Sequence, residues 1–352
     1  FRSQEVAVRN DPVPSRTGEN LFWVGRYAER NISTARLLRT ILKYYHQGSR
    51  FGEESDMASL KKLLLGLTHL TITYPGFTED DNIQHPEKEL LSLATDPDRV
   101  GGLVYNLQNM FRAIYAVRER WSVDTWRIVD NIEKIAGELV FNENVNLRSV
   151  QNTLDYLVSS LVAFVGSISE SMSREHGWTL SIIGRRLEQG SILSSLVKST
   201  LITSDNELIE YSLLEAVLLN NESLATYRFR YRSYLQLPVV LDLLILDALN
   251  PRSLAYQLSE LKLLIKELPK HKDQHHLSTE EKLVLEAYTK IRLEEVKTLV
   301  AFDKTGLRTH LRDLLTDVID LLYKTSDALT NTYFTHSGQT KQIFNNKPGL
   351  VI

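Results

Sequence analysis

The sequence predicts an all-α fold: a single large helical domain with an internal two-fold pseudo-repeat of helical units. Three observations predict it. Apolar residues recur at helical spacing, cap residues and prolines stand where helices begin, and two blocks of sequence return in the same order. The clearest run is Leu21, Val24, Ala28, Ile32, Ala35, Leu38 and Leu42, one stripe of one helix. Phe22, Trp23 and Leu37 fall off that stripe, so the helix is expected to be covered on most faces.

In chain order the expected helices are 17–46, 56–70, 97–120, 123–141, 148–170, 177–200, 205–226, 238–248, 251–268, 279–299 and 304–334. Asp96-Pro97 and Asn250-Pro251 each place a cap residue before a proline at the first helical position, the slot where a missing N–H costs nothing. Ser204 with Glu207, and Ser278 with Glu281, read as capping boxes. Arg174-Glu175-His176-Gly177-Trp178 reads as another helix start. Breakers at Tyr74-Pro75-Gly76, and from Leu268-Pro269 to His276, mark loops. Residues 1–14 are polar with two prolines and read as a linker or arm. Residues 337–352 have no helical period and read as a loose tail, which leaves 15–336 as the domain.

Composition excludes several classes of function. With 352 residues, 43% of them hydrophobic, the chain can bury a core without disulfides or a structural metal. A net charge of −3 gives no basic field for nucleic acid or a membrane surface. There is no cysteine, which removes disulfides, thiolate catalysis and thiolate-held zinc or iron–sulfur centres. That usage suits a reducing, cytoplasmic setting. Apolar stretches such as Pro238–Leu246, with Asp242 inside, are too short to span a bilayer. The opening residues do not read as a signal peptide. The chain opens on Phe1 rather than Met, so the expectation is a segment of a longer polypeptide.

The duplication carries the functional argument. Gly25-Arg26-x-x-Glu29-Arg30 returns as Gly184-Arg185-x-x-Glu188-Gln189. A second block, Asn109, Ala113, Tyr115, Arg118, Arg120 and Asp130, returns as Asn221, Ala225, Tyr227, Arg230, Arg232 and Asp242. Two copies make a duplicated unit, not a solenoid. Gly25 costs roughly 1 kcal/mol against alanine inside a helix, a cost that close approach of a neighbouring helix would offset. Arg26 and Glu29 must then lie in packed surface, where an unpaired charge is expensive, and their three-residue spacing suggests that they are paired or shared.

Three readings of these charges stand open. They form a structural ion-pair network, or Arg and Glu from both halves line one cleft, or they are plain exposed pairs. In the second case Glu29 and Glu188 are the candidate general bases, and Arg26, Arg30 and Arg185 are candidate anion-binding groups. Arg118, Arg120, Arg228, Arg230 and Arg232 join that set, because guanidiniums prefer carboxylate or phosphate partners. The alternation Tyr227-Arg228-Phe229-Arg230-Tyr231-Arg232 would put three guanidiniums in one row as a strand. The helical context favours a helix or a frayed helix end. Internal pairing with Asp130, Asp242, Glu29 and Glu188 is the alternative to an external anion. His271, His275 and His276 sit in a Lys-rich loop and give no metal-ligand pattern. Neither a phosphate-cradling glycine loop nor a nucleophile elbow is present.

The block from Asn20 to Arg30, followed by Thr34-Ala35-Arg36-Leu37-Leu38, resembles the opening motif of the alpha-E domain family. Met172 to Glu188, Ser223 to Asp247, and Asn250 to Gln257 are similar to further blocks of that family, in the same order. Gln189 departs from it, standing where the second motif often has arginine. The resemblance implies an all-helical domain in a bacterial setting, beside or fused after a circularly permuted ATP-grasp protein, often with a transglutaminase-like peptidase nearby. ATP-grasp enzymes activate a carboxylate as an acyl phosphate and join it to an amine. ATP and Mg would then belong to the partner, and no cofactor or metal is expected in this domain. The first expectation is therefore an accessory or partner domain for amide or peptide-bond formation, which holds the ligase or binds an acidic or peptidic substrate through the Arg/Glu cleft. An enzyme using a motif glutamate as base, and a purely structural scaffold, are the alternatives.

Overall fold

The computed structural model describes residues 15–51, 54–140, 145–203, 206–232, 234–269 and 276–334. The expected arm at 1–14, the tail at 337–352, His271, His275 and Ser204 lie outside the described residues. Among those described there are fifteen α-helices and no strand, only a single bridge between Thr203 and Leu307. They are α1 (Ser15–Phe51), α2 (Glu54–Thr71), α3 (Asp80–Gln84), α4 (Glu87–Thr95), α5 (Leu103–Ala116), α6 (Val123–Leu139), α7 (Leu147–Ser171) and α8 (His176–Thr200). There follow α9 (Glu207–Asn220), α10 (Leu224–Tyr231), α11 (Leu237–Leu241), α12 (Leu254–Lys266), α13 (Thr279–Arg292), α14 (Val296–Leu299) and α15 (Thr309–Tyr333).

The crossing of α1 with α8 is the most extensive helix contact in the domain, and the other helices are arranged around it. α5 packs mainly on α1, α7 lies between α1 and α6, α12 and α15 each pack on both α8 and α13, and α2 touches both central helices. This follows from the distribution of apolar residues. α5, α7 and α15 each bury one stripe, as in Leu103, Leu107, Met110 and Ile114 of α5. In α1 and α8 buried residues occur all round the helix, including the unbroken run from Thr179 to Gly184. A helix covered on every side has no polar face to give to water, so these two must be central.

Several helix boundaries differ from the expectation, each for a local reason. Asp96-Pro97 does not open a helix; residues 96–102 form a turn, with Gly101 at φ +86, and α5 begins only at Leu103. Asn250 likewise is not the cap of α12. Its side chain accepts from Arg252 N and donates to the Leu243 carbonyl, and Ser253 caps the helix instead. The expected helix 205–226 breaks at Asn221–Ser223, where Glu222 has a left-handed φ of +52. Asn206 caps α9 by accepting from Ile209 N. Helix α4, which follows Pro86, is absent from the expected helices. The Ser278–Glu281 capping box and the α8 start at His176 form as expected.

Candidate functional site

The α1–α8 crossing is made possible by two glycines. A β-carbon on Gly25 would sit 1.9 Å from the Ser181 carbonyl oxygen, and one on Gly184 would sit 2.2 Å from the Phe22 carbonyl oxygen. The contacts are reciprocal: each glycine faces the backbone three residues before the other. No other residue type lets the two backbones approach so closely.

One turn further along, the charges also cross over. Glu188 of α8 accepts from Arg26 Nε at 2.8 Å and from Arg30 Nε at 2.7 Å, both on α1. Glu29 of α1 accepts from Arg185 Nε of α8 at 2.9 Å. The expected pairing of Arg26 with Glu29 within α1 is therefore corrected: the close backbone approach puts each glutamate nearer the facing helix. Arg26 also donates to Ser326 Oγ of α15 at 2.8 Å and lies over the Trp23 ring.

The Gln189 departure explains an asymmetry. By the reciprocity of the crossing, position 189 should serve Glu29 as Arg30 serves Glu188. Glutamine cannot, and its side chain instead accepts from Arg186 Nη1 at 3.4 Å. Arg252, from the turn before α12, reaches Glu29 Oε1 at 3.4 Å in its place. Arg252, Arg36 and Arg186 were not among the expected site residues, although all three stand inside the blocks that carry the family resemblance. Nothing in their spacing announced a partner at Glu29.

Both motif carboxylates are buried, Glu29 at 1% and Glu188 at 6% exposure. Burial by itself raises a carboxyl pKa, but the facing guanidiniums outweigh it. Arg30 and Arg26 hold Glu188 down at about 2, and Arg185 and Arg252 hold Glu29 below the usual carboxylate value. At neutral pH both glutamates are ionised, and both are buried.

The other candidate arginines lie elsewhere. Arg118 and Arg120 form a 3-10 turn after α5, where Arg120 is 3.8 Å from Glu175. Arg228 pairs with Glu215 at 3.2 Å, Arg230 pairs with Asp247, and Arg232 closes α10 in a left-handed conformation. The alternating segment is thus a helix end, as its context suggested, and no strand row forms. Among the described residues no hydrogen bond or ion pair joins the two blocks to each other or to Glu29 and Glu188, and the internal partners are not Asp130 and Asp242. The matching tyrosines also differ. Tyr115 is exposed beside Glu133, whereas Tyr227 is fully buried and its hydroxyl bonds the backbone of Tyr234 and Gln236. Reciprocity belongs to the α1–α8 crossing and not to this second block. Among the described residues no group of three or more His, Asp or Glu could hold a metal, and no helix is long and apolar enough to cross a membrane.

Comparison with known proteins agrees with this architecture. The chain is 32% identical over 332 residues to an uncharacterised protein of Mycobacterium tuberculosis (Rv2567), and equally to one of Mycobacterium bovis (Mb2597). The match covers 91% of this chain but only 37% of either relative. No solved structure matches. The Alpha-E family, described as a predicted alpha-helical domain with a conserved ER motif, matches residues 13–334. Glu29-Arg30 is an ER pair of that kind, and with nearly the whole chain matched, this protein belongs to the Alpha-E family.

Proposed function

We propose that this chain is a non-catalytic accessory domain, locked by its Arg/Glu clamp, which acts beside a circularly permuted ATP-grasp carboxylate–amine ligase in amide or peptide-bond formation. The observation that supports the non-catalytic part is the closure of both motif carboxylates. A general base at neutral pH needs a raised proton affinity and reach to a substrate. Glu29 and Glu188 have lowered proton affinity, near-complete burial and arginines on their oxygens. Their chemistry is that of a strut that fixes how α1 crosses α8. The ligase partner is what the resemblance implies. The relatives' length is compatible with it, since this chain spans only 37% of them and they have room for further domains. ATP and Mg would be held by the partner.

The test is reconstitution. The chain, in cis or in trans, is co-purified with the ATP-grasp protein, and ATP-dependent amide formation is assayed with and without it. Dependence of ligation on the domain is expected, with Glu29→Gln retaining activity below its melting temperature. A ligase indifferent to the domain overturns the accessory reading. Loss of turnover in Glu29→Gln at unchanged melting temperature overturns the non-catalytic one.

A further inference from the structure

The Glu29 end of the clamp carries more positive charge than it needs. Arg185 and Arg252 bond Glu29 directly. Arg36 lies on α1 two helical turns beyond Glu29, on the same face, with its side chain almost wholly buried. Its Nε is 3.3 Å from Glu222 Oε1 but lacks the alignment of a hydrogen bond, and Glu222 is half exposed. Arg186 is tied to the same corner through Gln257. That side chain accepts from Arg186 Nη1 at 2.9 Å and donates to the Pro251 carbonyl at 2.6 Å, one residue before Arg252. The acceptors that Arg186 finds, Gln257 and Gln189, are neutral amides, and its buried Nε has no hydrogen-bond partner.

Three of these four guanidiniums therefore share two carboxylates, Glu29 and Glu222, while Arg186 touches neither and faces Glu260 only at longer range. The excess is visible in proton affinity. Burial, then the neighbouring Arg252, push Arg36 down to about 10, and burial, then Arg185, lower Arg186. Burial strips these guanidiniums of solvent, and the carboxylates that face them do not make up the loss. The corner is not sealed, because the Arg252 side chain is 21% exposed and that of Arg185 18%.

We propose that Arg36, Arg186 and Arg252, gathered beside the already occupied Glu29, form a binding site for a small oxyanion, a phosphate or carboxylate group. The planar donor forks match either anion, and an added negative charge would balance the guanidiniums that Glu29 and Glu222 leave in excess. The site is independent of the accessory reading: a scaffold, a ligase partner or an enzyme could each carry it.

The experiment titrates the full chain with inorganic phosphate and, separately, with glutarate, at ionic strength held constant with potassium chloride. Calorimetry and melting temperature are both read. Saturable binding of at least one anion is expected. Arg186→Gln should weaken it about tenfold, the order expected for one charge-assisted hydrogen bond. Arg186→Lys, which keeps the charge but not the fork, should also weaken it. Exposed Arg127→Gln should bind as the unmodified chain does. Preference for phosphate or for glutarate names the source of the oxyanion, and either upholds the site. No saturable binding beyond the chloride control overturns it. So does unchanged affinity in a folded Arg186→Gln and Arg186→Lys pair.

Discussion

Removing the Glu188 carboxylate is the sharpest probe of the clamp. Glu188→Ala deletes two charge-assisted hydrogen bonds, at 2.8 and 2.7 Å, and leaves Arg26 and Arg30 facing an apolar gap with side chains 8% and 18% exposed. Each such bond contributes about 1.5–3 kcal/mol. Breaking a buried ion pair by truncating one partner costs about 3–5 kcal/mol, because the remaining charge has lost its solvent and its counter-ion together. An unfolding entropy of about 2.1 cal/mol/K per residue, over 352 residues, gives about 0.7 kcal/mol per degree. The melting temperature should therefore fall by about 4–7 °C. Scanning calorimetry with matching urea denaturation measures it, and Glu188→Gln should fall between the two. Glu175→Ala is the control. That glutamate is exposed and 3.8 Å from Arg120, so its loss should cost at most about 0.5 kcal/mol, under one degree. A Glu188→Ala protein that melts with the Glu175→Ala control would refute the clamp.

Two further outcomes follow from the same geometry. Gly25→Ala should destabilise by more than the usual 1–3 kcal/mol or so of overpacking, since the new carbon meets a backbone carbonyl at 1.9 Å that cannot rotate away. Gly166→Ala, inside α7 where nothing lies within 4 Å, should instead stabilise by up to about 1 kcal/mol. Equal urea midpoints for the two variants would contradict this. Acid should release the clamp. Glu188 has its folded pKa lowered from 4.5 to about 2, so its stabilisation is complete above pH 4.5 and disappears as pH falls towards 2. The shift is worth about 3 kcal/mol, at 1.36 kcal/mol per unit, and Glu29 acts in the same direction. Urea midpoints measured from pH 6 to pH 3 should fall less steeply for Glu188→Gln than for the unmodified chain.

The fold class, most of the long helices and the importance of the two Gly-Arg-x-x-Glu motifs follow from residue order alone. These are readable because they rest on local physics: a 3.6-residue apolar period, a side chain that caps its own helix, a glycine whose cost in a helix asks for a reason. Residue order did not determine who pairs with whom. Arg26 stands three residues from Glu29, a spacing that suits pairing along one helix, yet the reciprocal approach of Gly25 to Ser181 and Gly184 to Phe22 sends each glutamate to the opposite helix. Nor did it show that Arg252, 223 residues distant along the chain, takes the place that Gln189 leaves empty. The arginine pattern around Tyr115 and Tyr227 looked equivalent as letters, and the packing made one tyrosine exposed and the other core. An ion pair depends on a few ångströms between atoms brought together by folding, and periodicity along one chain carries no such distance. Helices were therefore legible before the structure, and the clamp became visible only when α1 and α8 were seen to cross.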